Sequence, residues 1–221
     1  MNPAEYDAWY DTPRGHWIGW REFGLVRRQL GPAPGKTLLE VGCGTGWFTR
    51  AFAATGMNAT GLDVSLESLV HGRSHDSHDI AWVAGNGERL PFQDRSFDCA
   101  VSIAALCFMR REQAALAEIL RVTRRRFAIG WLNRASLLYR RKGRDGGSDA
   151  YRGASWHTAG EIWALFDGLP VRDLVIRSAV FLPSGTLPAR ALERLLPDRL
   201  PYGALLVAAG EPIHPEGDNT P

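Results

Sequence analysis

The densest chemical information in the chain lies between Glu40 and Gly46, inside the string LLEVGCGTGWFT that runs from Leu38 to Thr49. Gly42, Gly44 and Gly46 give a turn in which backbone can approach a ligand that side chains would block. Backbone amides at the start of the following helix attract an anion. The spacing is G-x-G-x-G, not the G-x-G-x-x-G of a pyrophosphate-binding loop. Glu40 sharpens the difference, because a carboxylate two residues before the first glycine repels a pyrophosphate and attracts an ammonium group. The ligand expected here is zwitterionic or cationic, with its amino group near Glu40 and its carboxylate near the helix start.

Two further polar positions follow at strand ends. Asn58 to Val64, NATGLDV, reads as a short strand ending at Asp63, whose carboxylate can accept from both hydroxyls of a ribose. Ile80 to Phe92, IAWVAGNGERLPF, begins as a strand and ends in a turn at Asn86 and Gly87. An asparagine at that turn can accept from an exocyclic amine and donate to a ring nitrogen.

Glu40-Val41-Gly42-Cys43-Gly44-Thr45-Gly46 resembles motif I of class I S-adenosylmethionine-dependent methyltransferases. Gly85, Glu88, Leu90, Pro91 and Phe92 are similar to that family's G-D-A-E-x-L-P-F string. The resemblance implies S-adenosylmethionine as cofactor. Its methionine end would lie against Glu40, Gly42, Cys43, Gly44 and Gly46, and its ribose at Asp63 beside Val64. Adenine would meet Asn86 and Gly87, with Ala104 bordering the site. The family's acid and small residue are replaced by Asn86 and Gly87, so adenine recognition is expected to persist through the Asn carbonyl, in weaker form.

These positions need a scaffold that brings strand ends together. Leu38, Leu39 and Val41 suit a buried strand, and Ser96 to Ile103 and Phe127 to Leu132 read as later ones. A helix starts near Ser65, and Arg111 to Thr123 carries Ala115, Ile119 and Val122 at helical spacing. Arg124-Arg125-Arg126 is expected in an irregular connection, complementing the helix dipole. His157 to Phe166 predicts a helix capped at Thr158, with Glu161 completing a capping box. Val171 to Leu182 and Gly203 to Ala209 read as a closing hairpin, with a short helix within Leu187 to Leu200. The resemblance covers most of the chain. It implies an α/β, Rossmann-like doubly wound sheet of about seven strands, mostly parallel with one antiparallel edge strand, and helices on both faces.

At 221 residues and 45% hydrophobic, the chain suits a single domain, residues 1–221. A net charge of +2 gives no strong field toward nucleic acid or membrane. No run is long and apolar enough to span a bilayer, and the polar start is no signal peptide. Cys43, Cys99 and Cys107 lack paired spacing, which favours packing roles and a reducing cytoplasm over a zinc site. His71 and His75 are four residues apart on a helix, with His78, Asp76 and Asp79 following, but solvent-facing histidines are the expectation there. The tail from Glu211 to Pro221 is expected to fray.

Three segments frame the acceptor side. Residues 1–35 are expected to form a helical lid carrying Tyr6, Trp9, Tyr10, Arg14, Trp17 and Trp20. Tyr6 and Tyr10 would border the methionine end of the cofactor, and Arg14 would reach the cofactor carboxylate or an acidic substrate. Ala104 to Phe108 is an apolar floor without the Asn/Asp/Ser-Pro-Pro-aromatic string of methyltransferases acting on nucleic-acid bases. Residues 133–157 form a basic, glycine-containing insertion. The reaction implied is in-line transfer of the sulfonium methyl group to a small-molecule acceptor. His16 and His157 are candidates for a base, but neither spacing identifies a catalytic residue. A non-catalytic cofactor-binding partner protein and a nicotinamide-dependent oxidoreductase are the two other readings; Glu40 and the short glycine spacing disfavour the second.

Overall fold

The computed structural model describes residues 2–214. Its centre is a seven-stranded sheet in the order β3-β2-β1-β4-β5-β7-β6. The strands are β1 (Thr37–Val41), β2 (Asn58–Asp63), β3 (Ala81–Ala84), β4 (Phe97–Ile103), β5 (Thr123–Leu132), β6 (Val171–Ala179) and β7 (Leu205–Pro212). The first five are parallel to one another. β7 runs antiparallel to both β5 and β6. The reversed strand therefore sits one place in from the edge, which β6 occupies.

Strands buried on both faces read as continuous apolar runs, and Leu38, Leu39, Val41, Ala100, Val101, Phe127 and Ile129 lose almost all exposure. The order turns back between β1 and β4, so the chain leaves their adjacent carboxyl ends in opposite directions. Such a switch point opens a crevice. Around the sheet lie α3 (Trp47–Ala53), α4 (Leu66–Ser74), α5 (Glu112–Val122), α6 (Leu137–Lys142), α7 (Ala159–Leu165) and α8 (Leu187–Glu193). α7 carries the capping box expected of Thr158 and Glu161.

Two helices precede the sheet, α1 (Pro3–Asp11) and α2 (Pro13–Leu30). Asn2 and Thr12 cap them through side-chain oxygens, each followed by a proline pre-set for helix entry. Gly15 allows the sharp bend between them, since a Cβ there would lie 1.9 Å from the Trp9 carbonyl oxygen. α2 buries Phe23, Val26 and Leu30 and packs along β5, β6 and β7.

The structure corrects several sequence expectations. No loop separates α5 from β5: Thr123 ends the helix, donates its hydroxyl to Ile119 O at 2.6 Å, and begins the strand. Arg124, Arg125 and Arg126 are thus strand residues. Arg124 donates to Ser96 O, and Arg126 joins Gln29 O and Glu211. Glu211 and Pro212 belong to β7, because Arg126 and Arg172 both pair with Glu211; residues 215–221 of the expected frayed tail lie outside the described residues. β6 ends at Ala179, before Leu182, where the buried Glu193 carboxylate accepts from the amides of Val180, Phe181 and Leu182.

Candidate functional site

One cavity of about 710 Å³ opens over the carboxyl ends of the parallel strands. Gly42 follows β1, Asp63 ends β2, Gly85, Asn86 and Gly87 follow β3, Ile103 ends β4 and Ala104 follows it; all line it. The N-terminal helices contribute Tyr6, Trp9, Tyr10, Arg14, Ile18 and Glu22. The segment after β5 adds Leu138, Lys142, Asp149 and Tyr151.

Each strand tip has a local reason for its shape. Gly42 adopts φ 75°, and a Cβ on it would sit 2.3 Å from the Ala105 Cβ, so glycine is required by backbone and by space. The amides of Gly42 and Cys43 both bind Leu62 O, at 2.7 and 3.0 Å, pinning the loop to β2. At Gly46, with φ 76°, a Cβ would fall 2.2 Å from the Trp82 ring. Gly44 has open space where a Cβ would stand.

Asp63 holds the next loop. Its Oδ2 accepts from Gly44 N at 2.7 Å and its Oδ1 from Ser65 N at 2.8 Å. Each oxygen keeps a lone pair, so the fixed carboxylate can still take two hydroxyl donors from the cavity. Asn86 is both turn and wall: its Oδ1 accepts from Glu88 N at 2.9 Å, and the residue lines the cavity. Glu88 then receives the amides of Arg110 and Arg111 and the Arg111 guanidinium, tying this turn to the start of α5. A Cβ on Gly87 would meet Met109 and Val41 at 2.8 Å. Ala104 takes φ 53° without being glycine, and its backbone N–H donates to Gly130 O at 2.9 Å.

Four of the residues expected at the cofactor do not line the cavity. Glu40 is 2% exposed, and its carboxylate accepts the Thr49 hydroxyl beneath the glycine loop. Burial pushes its pKa up to about 8, against the lowering from that hydrogen bond. Cys43 is buried with its thiol toward Gly44 O, and Gly44 and Gly46 shape the loop without lining the cavity. Gly42, Asp63, Val64, Asn86, Gly87, Ala104, Tyr10 and Arg14 do line it.

The N-terminal helices cover the site from above. Tyr10 stacks on Trp47 at 4.6 Å between ring centroids and shares a 3.1 Å hydroxyl contact with Tyr6. Asp7 reaches the loop itself, accepting the Thr45 hydroxyl at 2.8 Å and both carboxylate bonds from Arg50 Nη2 at 3.0 Å. Arg14 is turned to the α8 side, where its Nε donates to Pro183 O at 2.7 Å.

The residues outside the cavity are equally plain. His16 is exposed near Trp20, and His157 lies 3.1 Å from the Glu112 carboxylate; neither lines the site. His71 is not solvent-facing as expected: it is 21% exposed and packs its Nε2 3.6 Å from Asp7. Among the described residues no group of three His, Cys, Asp or Glu is placed to hold a metal. All three cysteines are free and buried, and burial raises the Cys99 and Cys107 thiols to about 11 and about 12. Sequence reasoning missed Glu22, Leu138 and Tyr151. Arg14, Ile18 and Glu22 form an i, i+4, i+8 stripe on α2, which is a signal present in the sequence.

Residues 39–126 match the family model of the methyltransferase domain. A demethylmenaquinone methyltransferase of Renibacterium salmoninarum is 36% identical over 121 residues, 54% of this chain and 50% of the relative. A malonyl-[acyl-carrier protein] O-methyltransferase of Erwinia billingiae is 39% identical over 89 residues, 40% of this chain and 35% of the relative. The chain thus aligns with about half or less of the length of these curated relatives. A SAM-dependent methyltransferase structure from Thermotoga maritima superposes with a TM-score of 0.73 at 22% identity, covering 94% of each chain, and supports the fold. The sheet order and the superposition show a Rossmann-like methyltransferase fold, and the match to the methyltransferase domain covers the strands from β1 into β5.

Proposed function

We propose that the protein transfers the sulfonium methyl group of S-adenosylmethionine to a small, partly hydrophobic acceptor by in-line displacement. The observation that carries this reading is the continuity of one cavity from Asp63 and Asn86 to a chamber walled by Ile18, Leu132 and Leu138. At about 710 Å³ it falls in the size range of small-molecule sites. The residues fit the cofactor: Gly42 keeps a close-approach backbone face, and Asp63 offers a pre-fixed carboxylate for a diol. Asn86 presents an amide at the turn where adenine is expected. Glu40 would act from beneath the loop on the cofactor's ammonium, without touching the cavity.

When bound, the cofactor supplies an electrophilic methyl on a good leaving group. The protein's share is then alignment and exclusion of water. Residues 1–35 would serve as the lid within a single domain, and residues 133–157 would form the acceptor side. Tyr6, Tyr10 and Tyr151 line the same space. The demethylmenaquinone and malonyl relatives point to quinol-like or acyl acceptors for this chain, and the apolar floor at Ala104 and Ala105 favours a compact organic acceptor over a nucleic-acid base. The free buried thiols suit a reducing, cytoplasmic setting.

Calorimetry with S-adenosylmethionine and S-adenosylhomocysteine, repeated on Asp63→Ala, tests the cofactor assignment. Labelled methyl donor offered with phenols, quinols, amines and carboxylates tests the transfer. Binding with no methyl product from any acceptor class would favour a non-catalytic, partner role.

A further inference from the structure

Glu22 is the acidic group of the cavity that the cofactor assignment leaves unused. It projects from the middle of α2, half-buried, on the stripe that also carries Arg14 and Ile18 into the cavity. Among the described residues it makes no hydrogen bond or ion pair, unlike Asp63 and Glu88. The hydroxyl-bearing residues near it are Tyr6 and Tyr10 of α1 and Tyr151 of the insertion, whose phenols its charge pushes further up. The cations that share the cavity do not answer it. Arg14 is bonded to Pro183 O and Lys142 is paired with Asp149, and neither these nor Arg110 lowers the Glu22 carboxyl. Glu112 and Glu40 are committed to His157 and Thr49 outside the cavity. Burial alone raises the Glu22 carboxyl to about 8, with no partner lowering it.

An uncompensated carboxylate in such a place is costly to ionise unless a cation arrives. The methyl donor brings one. This inference rests on the methyltransferase reading above. We propose that Glu22 is the proton acceptor of the transfer and that the acceptor is a protic nucleophile, with an O–H or N–H facing Glu22, rather than a carboxylate. The sulfonium carbon–sulfur bond breaks as the carbon–acceptor bond forms, its electron pair staying on sulfur. The acceptor's proton passes to the Glu22 carboxylate. Sulfonium and carboxylate lose their charges in the same step, which suits a low-dielectric chamber. A carboxylate acceptor would instead place a second negative charge beside Glu22 and has no proton to give.

The first readout needs no turnover. Calorimetric binding of S-adenosylmethionine at pH 7, repeated in buffers of different ionisation enthalpy, counts protons released. About one proton more is expected with S-adenosylmethionine than with S-adenosylhomocysteine, because the sulfonium ionises Glu22. Both ligands carry the same amino group, so any contribution from Glu40 cancels in this difference. In Glu22→Gln the difference disappears while S-adenosylhomocysteine still binds, which also reports that the variant is folded. The second readout is transfer to a panel of catechols, hydroquinols and aromatic amines. Glu22→Gln should lower kcat about 100-fold or more with a small change in KM, and remove the acidic limb of the pH profile. Glu22→Asp should recover part of the rate. Equal proton release for the two ligands, an unchanged difference in Glu22→Gln, or wild-type transfer by that variant overturns the assignment. Transfer to carboxylates alone overturns it as well. Absence of heat with both ligands in the unmodified protein removes the methyl-donor reading itself, and the role of Glu22 falls with it.

Discussion

The contact that holds the N-terminal helices onto the glycine loop can be broken with one substitution. Asp7 of α1 takes both carboxylate bonds from Arg50 Nη2 at 3.0 Å and the Thr45 hydroxyl at 2.8 Å, with 16% and 17% of the Asp7 and Arg50 side chains exposed. Fully exposed pairs of this kind contribute about 0–1 kcal/mol. Hydrogen bonds to charged groups contribute about 1.5–3 kcal/mol. This pair is four-fifths buried and its one nitrogen reaches both carboxylate oxygens, so a value within the charged range applies. Arg50 keeps its Nη1 bond to Thr45 O at 2.6 Å after Asp7 is removed, which limits the penalty of an abandoned cation. A coupling of about 2 kcal/mol is therefore expected from a double-mutant cycle of Asp7→Ala and Arg50→Ala in urea unfolding.

The same energy should appear locally. If α1 opens without the rest of the protein, losing about 2 kcal/mol raises amide exchange across Tyr6–Tyr10 by about 30-fold. Amides in β1 and β4 should stay protected. Asp7→Asn should keep the Thr45 contact and show an intermediate effect. A coupling below about 0.5 kcal/mol, or unchanged exchange in α1 of Asp7→Ala, would refute the view that this pair holds α1 on the glycine loop.

Three further outcomes follow from single positions. Gly46→Ala should destabilise by at least about 2 kcal/mol in denaturant titration, since φ is 76° and the new Cβ would strike Trp82 at 2.2 Å; Gly44→Ala, with open space, should cost less. Glu40→Gln should flatten the pH dependence of stability: a carboxyl raised to about 8 holds a proton in the folded state that the unfolded chain loses above about 4.5, so stability falls as pH rises between those values and levels off above 8, by on the order of 4 kcal/mol, read from urea midpoints at pH 5, 7 and 9. Glu193→Ala should cost about 3 kcal/mol or more in Tm-derived stability, because three backbone amides, of Val180, Phe181 and Leu182, lose their buried acceptor.

Sequence legibility divides along a physical line. Elements whose signals are local were readable: the apolar run into Gly42, the acid ending β2, the capping box at Thr158, and the hairpin strands. Each is set by a few consecutive residues. What could not be read depends on distant partners. Glu40 looks ligand-facing in the string, yet its orientation is decided by Thr49 one turn into α3. Arg126 looks like a helix-end charge, yet Gln29 and Glu211 lie 97 and 85 residues away. His71 looks like a surface residue until Asp7 folds over it. Glu22 stood in plain sight on a helical stripe, but only the packing of α2 along β5, β6 and β7 makes that stripe a cavity wall.

The cavity has one wall inside the matched methyltransferase domain and one outside it. The match to the methyltransferase domain spans residues 39–126, which contains Gly42, Asp63, Asn86 and Ala104. The opposite wall, from Tyr10 and Glu22 to Leu138, Tyr151 and Ala204, lies wholly outside that span. Strand tips at a switch point are fixed by sheet pairing and can tolerate little variation, so the cofactor end is shared. The proposed acceptor end is built from helices and an insertion that pack on the sheet without being part of its hydrogen-bond ladder, and these can change side chains or length without disturbing it. On this view, acceptor choice should follow Glu22, Leu138 and Tyr151, whereas donor affinity should follow Asp63. Exchanging Leu138 or Tyr151 for alanine ought to shift KM for the acceptor with donor affinity held within about twofold. An equal loss of donor affinity in both variants would mean that the two ends of the cavity are not separable in this way.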